Sequence, residues 1–221
     1  KAGYQVALVD ATMELAQGAK EKIGEILDRD IKKGRMEESR KAEILAGITP
    51  VSDRKQLADY DFITEAVPEN FELKESIFKE LDGICKPETI FLSNTSTISI
   101  TKLSQAVSQA RKCRFLGTHY FSPASVMKLV EVIPGHLSDD DVVAKVATMM
   151  GELGKETVIV KDVPGFVVNR IYHVIMIEAL KLLEEGVASV EDIDRACKFG
   201  MGHAVGPFEL YDNTSLDLNL T

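Results

Sequence analysis

Two residues twelve positions apart carry the first chemical suggestion in this sequence. His119 ends the apolar run Arg114–His119, which reads as a strand, and Glu131 lies inside Met127–Ile133, whose alternation suits another. A carboxylate inside such a run costs several kcal/mol to bury unless it is paired. An imidazole held by a carboxylate is fixed in one tautomer, as a general base for an alcohol proton must be. The same spacing also serves a structural His–Glu hydrogen bond with no chemistry. Ser93-Asn94-Thr95-Ser96-Thr97, at another strand end, gathers hydroxyls and an amide where a substrate oxygen can be held, and equally where a turn and helix N-cap can form. Asn169, beside Phe166, Val167, Val168 and Ile171, is either a pocket amide or a surface one. Asp10 closes the run Val6–Val9, the position at which dinucleotide folds place a carboxylate for ribose hydroxyls; an exposed turn acid reads the same way.

Other candidates carry less. Gly200-Met201-Gly202-His203-Ala204-Val205-Gly206 follows a helix rather than a strand and has one residue too many for a phosphate-binding fingerprint, so it reads as a turn. His136, His173 and His203 have no partner spacing that suggests a metal, and no metal is expected.

The elements that must position these residues alternate. Strands are expected at Tyr4–Asp10, Ile48–Val51, Phe62–Val67, Thr89–Ser93, Arg114–His119, Met127–Ile133 and Thr157–Val160. Helices are expected at Thr12–Lys33, Glu37–Leu45, Asn70–Ile84, Ile100–Val107 and Asp139–Leu153. Short buried strands alternating with helices predict an α/β domain with a mostly parallel sheet covered on both faces. After Pro164-Gly165 the pattern turns wholly helical, with Phe166–Glu185 and Val190–Phe199. The expected division is a domain over 1–162 and a helical one over 163–221.

The chain has 221 residues, about one and a half domains at roughly 150 residues each. Lys+Arg 26 against Asp+Glu 35 gives a net charge of −9, which disfavours nucleic acid and anionic membrane surfaces as partners. Phe166–Leu183, the most apolar long stretch, is interrupted by Asn169, Arg170, Glu178 and Lys181 and is too polar to span a bilayer. The short run Val6–Val9 does not read as a signal peptide. Cys85, Cys113 and Cys197, odd in number and far apart, fit a reducing compartment: cytoplasm, or mitochondrial matrix or peroxisome in a eukaryote.

Taken together, several motifs resemble the L-3-hydroxyacyl-CoA dehydrogenase family over nearly the whole chain. They are Gly117-Thr118-His119-Tyr120-Phe121-Ser122-Pro123 with Met127-Lys128-Leu129-Val130-Glu131-Val132, then Asp162-Val163-Pro164-Gly165-Phe166-Val167-Val168-Asn169-Arg170, then Gly200-Met201-Gly202 with Gly206-Pro207-Phe208-Glu209-Leu210. The resemblance implies a Rossmann-type NAD-binding domain followed by an α-helical substrate and dimerisation domain. It implies NAD as cofactor, an acyl-CoA substrate and a homodimer. His119 would be the base and Glu131 its orienting carboxylate, with Ser96 and Asn169 holding the substrate oxygen. Asp10 would take the adenosine ribose, Glu69, Lys74, Ser96 and Ser122 would line the cofactor site, and Lys33 would meet a coenzyme A phosphate.

Ser122 departs from the pattern, standing where many members carry Asn. The first strand with its glycine-rich phosphate loop and the last helices of the family fold are not in the sequence, which leads us to expect a piece of a longer enzyme. Two rivals are a related β-hydroxyacid dehydrogenase, which would use a lysine base, and a structural protein derived from the dehydrogenase fold.

Overall fold

The computed structural model describes residues 2–213 and divides into two compact units, Lys1–Val163 and Pro164–Thr221. The first unit runs β1 (Val6–Val9), α1 (Met13–Lys32), α2 (Glu38–Ala46), β2 (Ile48–Val51), β3 (Phe62–Glu65), α3 (Phe71–Asp82), β4 (Ile90–Ser93), α4 (Ile100–Leu103), β5 (Phe115–Tyr120), β6 (Leu129–Pro134), α5 (Asp140–Glu152) and β7 (Glu156–Ile159). Helix starts follow side-chain chemistry. Thr12 Oγ1 accepts the Leu15 N–H at 3.2 Å to cap α1, and Asn70 Oδ1 accepts the Leu73 N–H at 2.7 Å to cap α3.

The strands form two sheets, β1-β2 and β3-β4-β5-β6-β7, and every pairing is parallel except β5 with β6. That reversal has a local cause. The connection 121–128 contains no helix, and a parallel crossover takes on the order of a dozen residues or more. One face of the larger sheet buries Leu92, Leu116, Val130 and Val132 against Val142, Val143, Val146 and Met150 of α5. On the opposite face Phe78 of α3 packs edge-on against Phe115 at a centroid distance of 4.6 Å, and Ile100 of α4 lies over Gly117. A Cβ on Gly117 would come within 2.7 Å of Ile100 Cδ1, so only glycine lets α4 seat there.

Several expected boundaries shift. Tyr4 and Gln5 lie before β1, and Met127 and Lys128 lie before β6. The helix expected over Ile100–Val107 is one α-turn followed by a 3₁₀ turn at Ser104–Ala106, and Asp162 accepts the N–H groups of Ile100 and Thr101 at its start. No helix among the described residues is long and apolar enough to cross a membrane.

The second unit is helical: α6 (Val168–Glu184), α7 (Val190–Gly200) and α8 (Pro207–Asn213). The helix expected to begin at Phe166 begins at Val168, since Phe166 has a φ of 45° and the chain is still turning. The segment after α7 is a loop, as its glycines suggest. Gly206 admits the carboxylate of Asp194, which would lie 2.3 Å from a Cβ there and which accepts the N–H groups of Phe208 and Glu209 at 2.9 and 3.0 Å to cap α8.

Candidate active site

The site is assembled at the carboxyl ends of β3, β4 and β5, where open α/β sheets place their ligands. His119 is 4% exposed and Glu131 fully buried. His119 Nδ1 lies 2.8 Å from Glu131 Oε2, and its other ring nitrogen, Nε2, lies 3.1 Å from Ser96 Oγ. One ring nitrogen is thus held by a carboxylate and the other meets a hydroxyl, as expected of an oriented imidazole whose working nitrogen is Nε2. Phe121 packs edge-on against the ring at 4.7 Å between centroids.

The hydroxyl-rich run after β4 divides its labour. Ser93 Oγ donates to Glu65 Oε2 at 2.7 Å, and Asn94 Oδ1 accepts the Tyr120 N–H at 3.0 Å, fixing the backbone beside His119. Thr95 Oγ1 donates to Glu69 Oε1 and accepts the Ile98 N–H at 2.9 Å, closing the turn. Glu69 Oε1 also accepts the N–H groups of Ser96 and Thr97, both at 2.9 Å, and the Thr97 hydroxyl at 3.0 Å. The helix cap is Ser99, whose Oγ accepts the Lys102 N–H at 3.2 Å. Within the run, the side chain that reaches the histidine is Ser96.

Burial acts against the charged form of Glu69, but the hydrogen bonds from Thr95, Thr97 and Ser96 and the nearby Lys74 charge outweigh it and hold its carboxyl below the usual Glu range. Lys74 is fully buried. Its ammonium donates to Glu65 Oε1 at 2.7 Å and to the Val67 carbonyl at 3.1 Å, and lies 3.4 Å from Glu69 Oε2. Sequence reasoning missed Glu65 and Phe121, and read Asn94 as a substrate-oxygen amide or turn residue where the structure has it accept the Tyr120 N–H. The acid inside the apolar run Phe62–Val67 was the available signal for Glu65, the same signal that drew attention to Glu131.

Asp10 is exposed at the end of β1, its Oδ1 accepting the Ala11 N–H at 2.7 Å. Ser122 is exposed immediately after Phe121, and Lys33 is exposed at the carboxyl end of α1. Asn169 is partly buried in the first turn of α6, in the second unit. The structure therefore brings Ser96, His119, Glu131, Glu69 and Lys74 into one connected network. Asp10, Ser122 and Lys33 stand elsewhere in the first unit, and Asn169 belongs to the second.

Family models match the chain over two consecutive stretches: 3-hydroxyacyl-CoA dehydrogenase, NAD binding domain, over residues 1–163, and 3-hydroxyacyl-CoA dehydrogenase, C-terminal domain, over 165–221. The mitochondrial hydroxyacyl-coenzyme A dehydrogenase of Sus scrofa is 40% identical over 97% of this chain and 70% of its own length. The 3-hydroxybutyryl-CoA dehydrogenase of Clostridioides difficile is 39% identical over 99% of this chain and 77% of its own. The crystal structure of (S)-3-hydroxybutyryl-CoA dehydrogenase from Ralstonia eutropha superposes with a TM-score of 0.95 at 42% identity, covering 99% of this chain and 77% of that one.

Proposed function

The chain belongs to the 3-hydroxyacyl-CoA dehydrogenase family, and from that premise we propose that it interconverts (S)-3-hydroxyacyl-CoA and 3-ketoacyl-CoA with NAD through the Ser96–His119–Glu131 arrangement. The observation that carries this reading is the doubly held imidazole, with Glu131 at Nδ1 and Ser96 at Nε2. In the oxidative direction His119 Nε2 takes the proton of the 3-hydroxyl, and Glu131 stabilises the imidazolium that results. Ser96 Oγ supplies a second hydrogen-bonding group to the same oxygen, and Asn169 of the helical unit is assigned to that oxygen as well.

The residues fit the cofactor. An exposed carboxylate at the end of a parallel strand, as at Asp10, accepts hydroxyl hydrogens of a ribose and repels a phosphate. Glu69 lines the cofactor side with Lys74 behind it, and Ser122 borders the nicotinamide end. When bound, NAD supplies the two-electron acceptor for the carbon-bound hydrogen. Lys33 presents a point charge suited to a coenzyme A phosphate.

The first domain, 1–162, is assigned to the cofactor and the helical domain, 163–221, to substrate and dimerisation. Exposed Ile171, Val174, Ile177 and Leu180 on α6 support a homodimer through that domain. The free cysteines favour a reducing compartment, the cytoplasm or, in a eukaryote, the mitochondrial matrix or peroxisome. The test is loss of NADH absorbance on addition of acetoacetyl-CoA. Absence of turnover by folded protein at any substrate concentration up to the millimolar range overturns the reading.

A further inference from the structure

Glu65 belongs to none of the roles assigned above, yet it is among the most heavily engaged groups in the first unit. It is 5% exposed at the last position of β3, directly opposite Ser93 in the parallel register with β4. Its Oε1 receives the Lys74 ammonium at 2.7 Å and the Val67 N–H at 2.7 Å, and its Oε2 receives the Ser93 hydroxyl at 2.7 Å. A carboxylate removed from water this completely must be fully compensated, and here it is, by one charge and two dipoles.

We infer that Glu65 is a positioning residue for the catalytic serine, acting through the relay Glu65–Lys74–Glu69–Ser96 to hold Ser96 Oγ against His119 Nε2. Each link is a contact. Glu65 fixes the buried ammonium of Lys74, and that ammonium faces Glu69 Oε2 at 3.4 Å. The other oxygen of Glu69 gathers Thr95 Oγ1, the N–H groups of Ser96 and Thr97, and Thr97 Oγ1. Ser96 Oγ then meets the ring at 3.1 Å. Ser93 closes a second, shorter path, since it bonds Glu65 and lies three residues before Ser96 on the same chain. Lys74 alone would be drawn toward Glu69, so neutralising Glu65 removes the opposing pull and displaces the carboxylate that holds the turn.

The inference rests on the proposed dehydrogenase role of Ser96 and His119, and the experiment separates the two. Glu65→Gln, Ser93→Ala, Ser96→Ala and the double variants Glu65→Gln/Ser96→Ala and Ser93→Ala/Ser96→Ala are compared in the full chain. The readouts are kcat with acetoacetyl-CoA and NADH, and the ring-nitrogen NMR signal of His119, assigned by its absence in His119→Gln. The expected result is a kcat reduced about 10- to 100-fold by Glu65→Gln and less by Ser93→Ala, with a smaller rise in the KM for NADH because the displaced Glu69 borders the cofactor. The His119 signal should move in the same direction as in Ser96→Ala, and neither substitution should add to Ser96→Ala. Losses that multiply with Ser96→Ala, or a His119 signal that stays at its wild-type position, would show a structural role only and overturn the inference. If Glu65→Gln does not fold, the Ser93→Ala pair decides. A wild-type chain without turnover refutes the proposed function while the NMR arm still decides the relay.

Discussion

His119 and Glu131 stand directly opposite each other across the antiparallel pair β5/β6, and their side chains meet at 2.8 Å on the face that also carries Gly117 and Ile133. Register alone therefore makes the pair, with no dependence on a mobile loop. Because side chains alternate along a strand, a slip of one residue would turn His119 to the α5 face. Gly117 and the fit of Ile100 over it hold that register two residues away. For His119→Gln we expect kcat to fall by about 10²- to 10⁴-fold, the usual worth of a general base, with NADH affinity nearly intact. Stopped-flow turnover beside fluorescence titration of NADH checks both, and a variant that retains wild-type kcat refutes the assignment.

Glu131→Gln keeps shape and one acceptor but removes the charge that the imidazolium needs. We expect a kcat loss of at least about tenfold with a smaller change in KM, since the carboxylate matters most when the ring carries its extra proton. Glu131→Ala goes further and leaves His119 Nδ1 facing a cavity, so its melting temperature should fall as well. A Glu131→Gln enzyme with unchanged kcat would leave only the structural hydrogen bond.

On the proposed reading, cofactor choice follows from Asp10. Its exposed carboxylate at the end of β1 is suited to ribose hydroxyls and hostile to a 2′-phosphate. Asp10→Ser should raise the KM for NADH and narrow the preference over NADPH. Equal kcat/KM for NADH and NADPH in the unsubstituted protein would exclude this role.

The sequence pattern exposed the alternation of strands and helices, the division into an α/β and a helical part, and the pairing of His119 with Glu131. Those features rest on periodicity and on the cost of an acid in an apolar run, both of which are local. The antiparallel turn at β5/β6 was hidden because alternation carries no direction, and only the length of the intervening loop constrains it. The division of labour among Ser93, Asn94, Thr95 and Ser96 was equally hidden, since four adjacent small polar residues look alike until their partners from β3, α3 and β5 arrive. Glu65 and Lys74 are nine residues apart and on different elements, so no single-element period joins them. Their pairing needed the fold.

Gly117→Ala tests the close approach of α4 to β5. The new methyl would meet Ile100 Cδ1 at 2.7 Å, Ile100 Cγ1 at 2.8 Å and Ile133 Cβ at 3.1 Å, and β5 is central and buried, so little can yield. Overpacking of this kind costs about 1–3 kcal/mol. The strand also carries His119 two residues on, and kcat should therefore fall with stability. Pairing Gly117→Ala with Ile100→Val, which removes a methyl at the point of contact, should restore part of both. Urea unfolding midpoints and kcat measured on the three variants decide it, and a Gly117→Ala protein as stable and active as the parent would contradict the packing argument.

Asp162 provides the last prediction, through the pH dependence of stability. Burial works against its charge, yet the N–H of Thr101, the hydroxyls of Thr101 and Ser99 and the N–H of Ile100 outweigh that and hold its carboxyl below the usual Asp value of 3.8. Two of these contacts are short, with Ser99 Oγ and the Thr101 N–H each 2.8 Å from Oδ2. A carboxyl whose folded value is depressed contributes its stability above the unfolded value and loses it as the pH falls through the folded one. Asp162→Ala should therefore lower stability at pH 7 by about 1–3 kcal/mol, the range for charge-assisted hydrogen bonds at a helix start. The gap between parent and variant should hold down to about pH 4 and shrink below it as Asp162 in the parent takes up its proton. Because α4 begins four residues after Ser96, kcat should drop alongside stability. Chemical denaturation of both proteins from pH 7 down to pH 3 reads the first effect, and a gap that stays constant or widens below pH 4 would show that the carboxylate charge at Asp162 is not what holds the first N–H groups of α4.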